Sequence, residues 1–234
     1  MHTGYVFAPP ARVSTPVRDS NDRFPVRRIF CVGRNYADHV REMGGDPRSE
    51  APIFFTKPAD ALVPGGSSVP YPPGTRNLHH EVELVVALHR GGTRIPATSA
   101  LAHVYGYAVG NDLTRRDLQS QARARGQPWD MAKGFDASAQ ISRIHPVERF
   151  GHPSRNVIWL KVNGEQRQHS TLDQMIWSVP EIISSLSALV ELQPGDLIYT
   201  GTPEGVGALL PGDVVTAGIE GLDELEFRIA ADPP

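Results

Sequence analysis

Two glutamates two residues apart in an apolar run are the first place to look for chemistry. The run is His79-His80-Glu81-Val82-Glu83-Leu84-Val85-Val86-Ala87-Leu88. As a strand it puts Glu81, Glu83, Val85 and Ala87 on one face and Val82, Leu84, Val86 and Leu88 on the other. Both faces are apolar beyond the glutamates, as in a strand buried on both sides. Neighbouring carboxylates there would repel and lose hydration, at roughly several kcal/mol per buried ion. A hard divalent cation compensates for both losses, because carboxylate oxygens are its preferred ligands and it keeps open positions for a substrate. The same pair at the solvent-exposed entrance of a strand would only keep an edge soluble.

Asp112 is a candidate third ligand. Val104 to Val109 reads as a second strand and runs into Gly110-Asn111-Asp112-Leu113-Thr114, so Asp112 stands where a strand ends and a side chain can turn into a cleft. Capping a helix over Leu113 to Arg123 is the commoner task for such an aspartate. In Gly33-Arg34-Asn35-Tyr36-Ala37-Asp38-His39-Val40-Arg41-Glu42-Met43, a helix would let His39 and Glu42 meet, and the glutamate could orient the imidazole as a base. A solvated helix face explains the same spacing. Glycines at both ends would let this helix act as a lid.

Lys57, in Phe54-Phe55-Thr56-Lys57-Pro58, and Lys133, in Trp129-Asp130-Met131-Ala132-Lys133-Gly134-Phe135, stand in apolar company. Each could bind a substrate carboxylate or lay its stem across aromatic surface with no such role. The loop Tyr199-Thr200-Gly201-Thr202-Pro203-Glu204-Gly205-Val206-Gly207 offers a hydroxyl and backbone N–H groups, without the Gly-Lys-Ser/Thr ending of a phosphate loop.

The elements that must position these residues belong to a sheet-rich chain. Its 234 residues, 40% hydrophobic and 21% charged, suit one large mixed domain. Residues 1–25, with prolines at 9, 10, 16 and 25 and no periodicity, read as an extended arm, and 26–234 as the catalytic domain. Short strands alternate with Gly and Pro turns, with two or three helices. Asn163-Gly164 joins strands over Val157 to Val162 and Glu165 to His169, and a C-terminal hairpin over 213–230 turns near Gly221. Ser178-Val179-Pro180-Glu181 is a capping box opening a helix through Ile182, Ile183, Leu186, Leu189 and Val190.

A formal net charge of -3 leaves no positive excess for a phosphate backbone, so nucleic acid is not an expected partner. The densest basic patch, Arg115 to Arg125, alternates with polar residues and reads as substrate-facing or solvated. The single cysteine, Cys31, sits in an apolar strand and reads as core. No secretory leader is evident and no segment approaches the ~20 apolar residues of a membrane helix, so a cytoplasmic location and no membrane partner are expected.

Taken together these segments resemble the fumarylacetoacetate hydrolase family. The resemblance is carried, in order, by CVGRNYADHVREM at 31–43, FFTKP at 54–58, HHEVEL at 79–84, GYAVGNDLTRRD at 106–117, GQPWDMAKGFD at 126–136 and GDLIYTGTPEGVG at 195–207. It implies an α+β, mostly β fold, a mixed β-roll of twisted sheets with few helices, in the short form without an N-terminal barrel, assembled as a homodimer. It also implies a metal site of Glu81, Glu83 and Asp112, usually for Mg2+, with Mn2+ or Ca2+ as substitutes. His39 and Glu42 would form a dyad on a lid, and Lys133 and Thr202 would hold the keto-acid end. Lys57, Arg34, Arg115, Arg116 and Arg123 are further candidates for substrate carboxylates. Within the family, the arm ending Phe24-Pro25-Val26-Arg27-Arg28, the lid and Gly126-Gln127-Pro128-Trp129 are most similar to enzymes that hydrolyse 3-fumarylpyruvate to fumarate and pyruvate in gentisate breakdown. Two alternatives follow: decarboxylation of oxaloacetate or hydrolysis of simpler acylpyruvates at the same site, and a keto-acid-binding protein with a structural metal.

Overall fold

The computed structural model describes residues 4–36 and 51–231. Eighteen strands and four short α-helices follow one another along the described residues. The strands begin with β1 (Ser14–Pro16), β2 (Arg23–Pro25), β3 (Arg28–Gly33), β4 (Ile53–Lys57), β5 (Leu62–Pro64) and β6 (Ser68–Val69). Next come β7 (Leu78–His80), β8 (Val82–Leu88), β9 (Val104–Asp112), β10 (Thr114–Arg115), α1 (Arg116–Ala124) and α2 (Asp130–Lys133). After them lie β11 (Ala139–Ile141), β12 (His145–Pro146), α3 (Val147–Phe150), β13 (Val157–Val162), β14 (Glu165–Thr171) and α4 (Val179–Leu189). The chain closes with β15 (Asp196–Tyr199), β16 (Gly207–Leu209), β17 (Val214–Ile219) and β18 (Leu225–Ile229). The fold is mostly β with few helices, as the resemblance implies.

One mixed sheet has the order β4-β3-β15-β8-β9-β11-β5, with β12 also on β9; a second has the order β14-β13-β17-β18-β6. β3 and β15 run parallel, as do β5 and β11, while β8 is antiparallel to both of its neighbours. All seven residues of β8 are buried, because its two faces serve two cores. Val82, Leu84, Val86 and Leu88 pack towards the second sheet and the Ile182, Ile183 and Leu186 face of α4. Val85 and Ala87 join Ile29, Cys31, Leu197 and Tyr199 on the other side. That second core is completed by Val17, Phe24 and Val26, so the β1–β2 hairpin covers the main sheet. Ala and Gly at 108 and 110 on β9 leave room there: a Cβ at Gly110 would lie 2.4 Å from Val85 and 2.6 Å from Tyr199.

Local signals in the sequence map directly onto these elements. Asn163 and Gly164 both have positive φ, 52° and 81°, as the tight turn joining β13 and β14 requires. The capping box at Ser178 and Glu181 forms at the start of α4. β17 and β18 make the C-terminal hairpin, with Gly221 at φ 86° between them. Cys31 is fully buried in β3. No helix of the described residues is long and apolar enough to cross a membrane.

Candidate metal centre and substrate cleft

The run expected as one strand is two. β7 pairs with β10 and β16 in a small separate sheet, whereas β8 enters the main sheet between β15 and β9. Glu81 is the hinge between them, and its backbone is fixed on both sides. Its N–H donates to Asn111 Oδ1 at 3.0 Å, and its carbonyl accepts from the Asp112 N–H at 2.8 Å. Glu83 lies opposite Gly110 on β9, and Asp112 ends that strand opposite Ala139. Three elements thus deliver three carboxylates to one point. Each of Glu81, Glu83 and Asp112 offers an oxygen within 4.8 Å of the others, and all three are buried. Asp112 caps no helix: α1 starts at Arg116 with Arg115 at its N-cap.

Two lysines enter this cluster from opposite sides. Lys133, from α2, places its ammonium 2.7 Å from Glu81 Oε2 and 2.6 Å from Asp112 Oδ2, with Phe55 packed 5.0 Å from it. Lys57, at the end of β4, lies 2.7 Å from Asp112 Oδ1 and donates at 3.0 Å to the Leu113 carbonyl and also to that of Lys133. Arg116 pairs with Glu81 and donates to Gln119. Burial alone would push the Glu81 carboxyl up, but Lys133 and Arg116 outweigh it and hold it well below the usual carboxylate range. Burial opposes the charge on Lys133 too, and Asp112 and Glu81 prevail to hold its pKa above the ordinary value. Burial depresses Lys57.

Glu83 is the exception. Burial, then the proximity of Asp112 and Glu81, push its carboxyl well above the ordinary range. Among the described residues its one hydrogen bond is from the Gly201 N–H, at 2.7 Å, and no cation pairs with it. Unit charges about 5 Å apart repel by roughly 3 kcal/mol at an effective dielectric near 20. Three convergent hard oxygen donors, one lacking a positive partner, are a donor set that fits a divalent cation.

The carboxylates of Glu81 and Glu83 open into a cleft of about 160 Å³, also lined by Arg34, Arg116, Arg123, Lys133 and Thr202. Phe55 and Trp129 form its apolar wall. Arg34 is held at φ 57° at the end of β3, and its Nε is buried without a partner among the described residues. Arg123 lies about two helical turns along from Arg116 on the same face of α1, and it has no acidic partner among the described residues. The structure therefore brings Arg34, Arg116, Lys133 and Thr202 to one cleft with Glu81 and Glu83. Lys57 and Arg115 are expected substrate ligands that it places elsewhere: Lys57 behind Asp112, with its ammonium engaged by one carboxylate and two carbonyls, and Arg115 over the Phe135 ring, donating to the Met131 carbonyl. His39 and Glu42 lie outside the described residues.

Several residues around the site carry no signal of spacing. Asn111 bonds the Glu81 backbone and Gln140; Asn35 bridges Thr200 and Trp177, tying β3 to the loop after β15. A polar residue in an apolar run was the only available hint, and for Gln168, which contacts Thr202, even that was missing because its strand is otherwise exposed.

Comparison with known proteins agrees with the geometry. The family described as fumarylacetoacetate (FAA) hydrolase C-terminal matches residues 28–230. A solved structure of fumarylpyruvate hydrolase from Pseudomonas aeruginosa, in complex with Mn2+ and pyruvate, is 52% identical, with TM-score 0.95, covering 98% of this chain and 100% of that one. A putative fumarylpyruvate hydrolase from Burkholderia cenocepacia is 53% identical, with TM-score 0.92, covering 99% and 100%. A mitochondrial oxaloacetate tautomerase of Rattus norvegicus is 47% identical over 203 residues, 87% of this chain and 91% of the relative. With its ordered motifs, its mostly β fold and its buried acidic triad in agreement, the chain belongs to the fumarylacetoacetate hydrolase family of enzymes.

Proposed function

We propose that this enzyme is a metal-dependent hydrolase that cleaves a carbon–carbon bond of a 2,4-diketo acid, with 3-fumarylpyruvate as substrate. The observation that carries the proposal is the charge layout of one cleft. Glu81 and Glu83 open into it beside Lys133, and Arg34 and Arg123 line it without an acidic partner among the described residues. A substrate with a keto-acid group at one end and a second carboxylate at the other matches that layout.

Glu81, Glu83 and Asp112 would hold the divalent cation. When bound, it supplies Lewis-acid polarisation of the 2-oxo acid end. Lys133 is fixed by two carboxylates, so its ammonium is preorganised where negative charge builds on the departing pyruvate fragment, which favours the transition state over the ground state. Thr202 hydrogen-bonds the keto-acid carboxylate, and Arg34 and Arg123 take the distal one. His39, oriented by Glu42, removes a proton from the water that attacks the C4 carbonyl.

Action on oxaloacetate is the second reading, and the 47% identity to an oxaloacetate tautomerase favours it. The two part in one experiment. Protein supplied with Mg2+ or Mn2+ is given fumarylpyruvate, an acylpyruvate without the distal carboxylate, and oxaloacetate. The proposal expects loss of the fumarylpyruvate ultraviolet absorbance with release of pyruvate, and a roughly tenfold or greater fall in kcat/KM for Arg123→Ala on fumarylpyruvate but not on the simpler acylpyruvate. Interconversion or decarboxylation of oxaloacetate with no cleavage of fumarylpyruvate overturns it.

A further inference from the structure

Gln168 is the one fully buried residue in the otherwise exposed start of β14. A β-bulge puts it there. Leu160 pairs with Gln168 but Lys161 pairs with Gln166, so Arg167 is an extra residue that rotates Gln168 inward. The loop after β15 presses onto this bulge: Gly205, at φ 87°, comes so close that a Cβ would lie 2.1 Å from the Arg167 carbonyl oxygen. Thr202 is thereby carried to the Gln168 amide.

The direction of every hydrogen bond in this contact follows from the backbone. The Val82 N–H donates at 3.1 Å to Gln168 Oε1, and the Pro203 carbonyl accepts at 2.9 Å from Nε2. Those two partners admit only one orientation of the amide, even though its oxygen and nitrogen look alike. Gln168 Nε2 therefore donates to Thr202 Oγ1, at 2.8 Å, and His80 Nδ1, 2.9 Å from Oε1, carries the ring hydrogen. Thr202 is thus an acceptor towards the protein, and no acceptor among the described residues takes its own hydrogen. Thr202 lines the cleft.

We infer that Gln168 is a positioning residue that makes Thr202 an obligate hydrogen-bond donor to the substrate carboxylate, a role that rests on the keto-acid reading of the cleft. Without the Gln168 nitrogen, the Pro203 carbonyl loses its donor and competes for the Thr202 hydrogen. The substrate then meets a hydroxyl lone pair as often as a hydrogen, and a carboxylate tolerates only the hydrogen.

The test is a double-mutant cycle on the full chain, using calorimetric binding of oxalate to the Mn2+-loaded protein and steady-state kinetics on fumarylpyruvate. Thr202→Val weakens oxalate by about tenfold or more, the effect of one hydrogen bond to a charged group, and Thr202→Ser stays near the parent. Gln168→Met weakens oxalate by about tenfold and raises KM more than it lowers kcat. In the Thr202→Val background the same substitution changes affinity by less than about twofold. A merely structural Gln168 would instead lower the active fraction, and so kcat, in both backgrounds. Gln168→Met that binds like the parent, or that adds its full effect to Thr202→Val, overturns the inference. Should Gln168→Met fail to fold, Thr202→Val binding oxalate like the parent overturns it equally. If the parent itself binds no oxalate with Mn2+, the keto-acid reading fails and this inference falls with it; if the parent binds and Gln168→Met binds as well, only the inference falls.

Discussion

Replacing Lys57 by Met separates a structural lysine from a substrate ligand. The methionine keeps most of the stem's volume but removes the ammonium that lies 2.7 Å from Asp112 Oδ1 and hydrogen-bonds the carbonyls of Leu113 and Lys133. Both side chains of the ion pair are 0% exposed, so water cannot replace what is lost. Breaking one half of a buried pair destabilises a protein by about 3–5 kcal/mol when the remaining charge is left unpaired; Asp112 keeps Lys133 at 2.6 Å, which puts the loss at the lower end of that range. The Leu113 carbonyl loses its donor and adds to this, while that of Lys133 keeps the Ser138 hydroxyl at 3.1 Å and relief of the lysine's own burial, which already depresses its pKa, subtracts. A net loss near 3 kcal/mol converts to a fall of roughly 6–12 °C in Tm for a chain of this size, at ~2–4 °C per kcal/mol. Thermal melts followed by circular dichroism with EDTA present give this number, and kinetics of the surviving folded enzyme give the other. A Lys57→Met protein whose Tm lies within about 2 °C of the parent but whose KM is raised tenfold would refute this reasoning and return Lys57 to the substrate.

Mn2+ at about 100 times its Kd should stabilise the folded chain by ~2.7 kcal/mol, and Glu83→Gln should raise the metal-free Tm while abolishing most of that gain. The reason is that Glu83 is the member of the triad with no cationic partner among the described residues; differential scanning calorimetry with and without Mn2+ reads both effects, and an undiminished metal shift in Glu83→Gln rules the triad out. Gly205→Ala should lower stability by at least about 2 kcal/mol, since φ 87° disfavours any side chain and the new Cβ meets the Arg167 carbonyl. The same substitution should raise KM through displacement of Thr202, and a chemical denaturation curve paired with kinetics checks the two together.

How much of this was legible depends on how far apart in the chain the partners lie. Signals confined to a few residues translate directly. Asn163-Gly164 forces a turn because two successive positive φ values suit those residues, and Ser178 with Glu181 caps a helix because both partners lie within one turn. The alternation along β8 identifies both buried faces, since period two is a local property. What period two cannot show is the break at Glu81. β7 and β8 belong to different sheets only because β16 and β10 reach one and β15 and β9 the other, and the farthest of those pairings, Leu209 with Leu78, spans 131 residues of chain. The break matters, because it turns the Glu81 side chain out of a regular ladder and into the cleft.

The acidic triad was visible as residues and invisible as a charge balance. Spacing gave two readings of Glu81 and Glu83, ligands of a divalent cation or residues at an exposed strand entrance. Both are buried, which removes the second, and side chains supply part of the compensation: Lys133 and Arg116 neutralise Glu81, Lys57 and Lys133 neutralise Asp112, and among the described residues Glu83 has only a backbone N–H. Lys57 and Lys133 sat in equally apolar sequence, so nothing local distinguished them. The difference is topological. β4 runs along the edge of the main sheet and delivers Lys57 to the side of Asp112 away from the cleft, whereas α2 delivers Lys133 to its open side between two carboxylates. A lysine behind a ligand can only set that ligand's position; a lysine between ligands and substrate can also meet the charge that develops in the reaction.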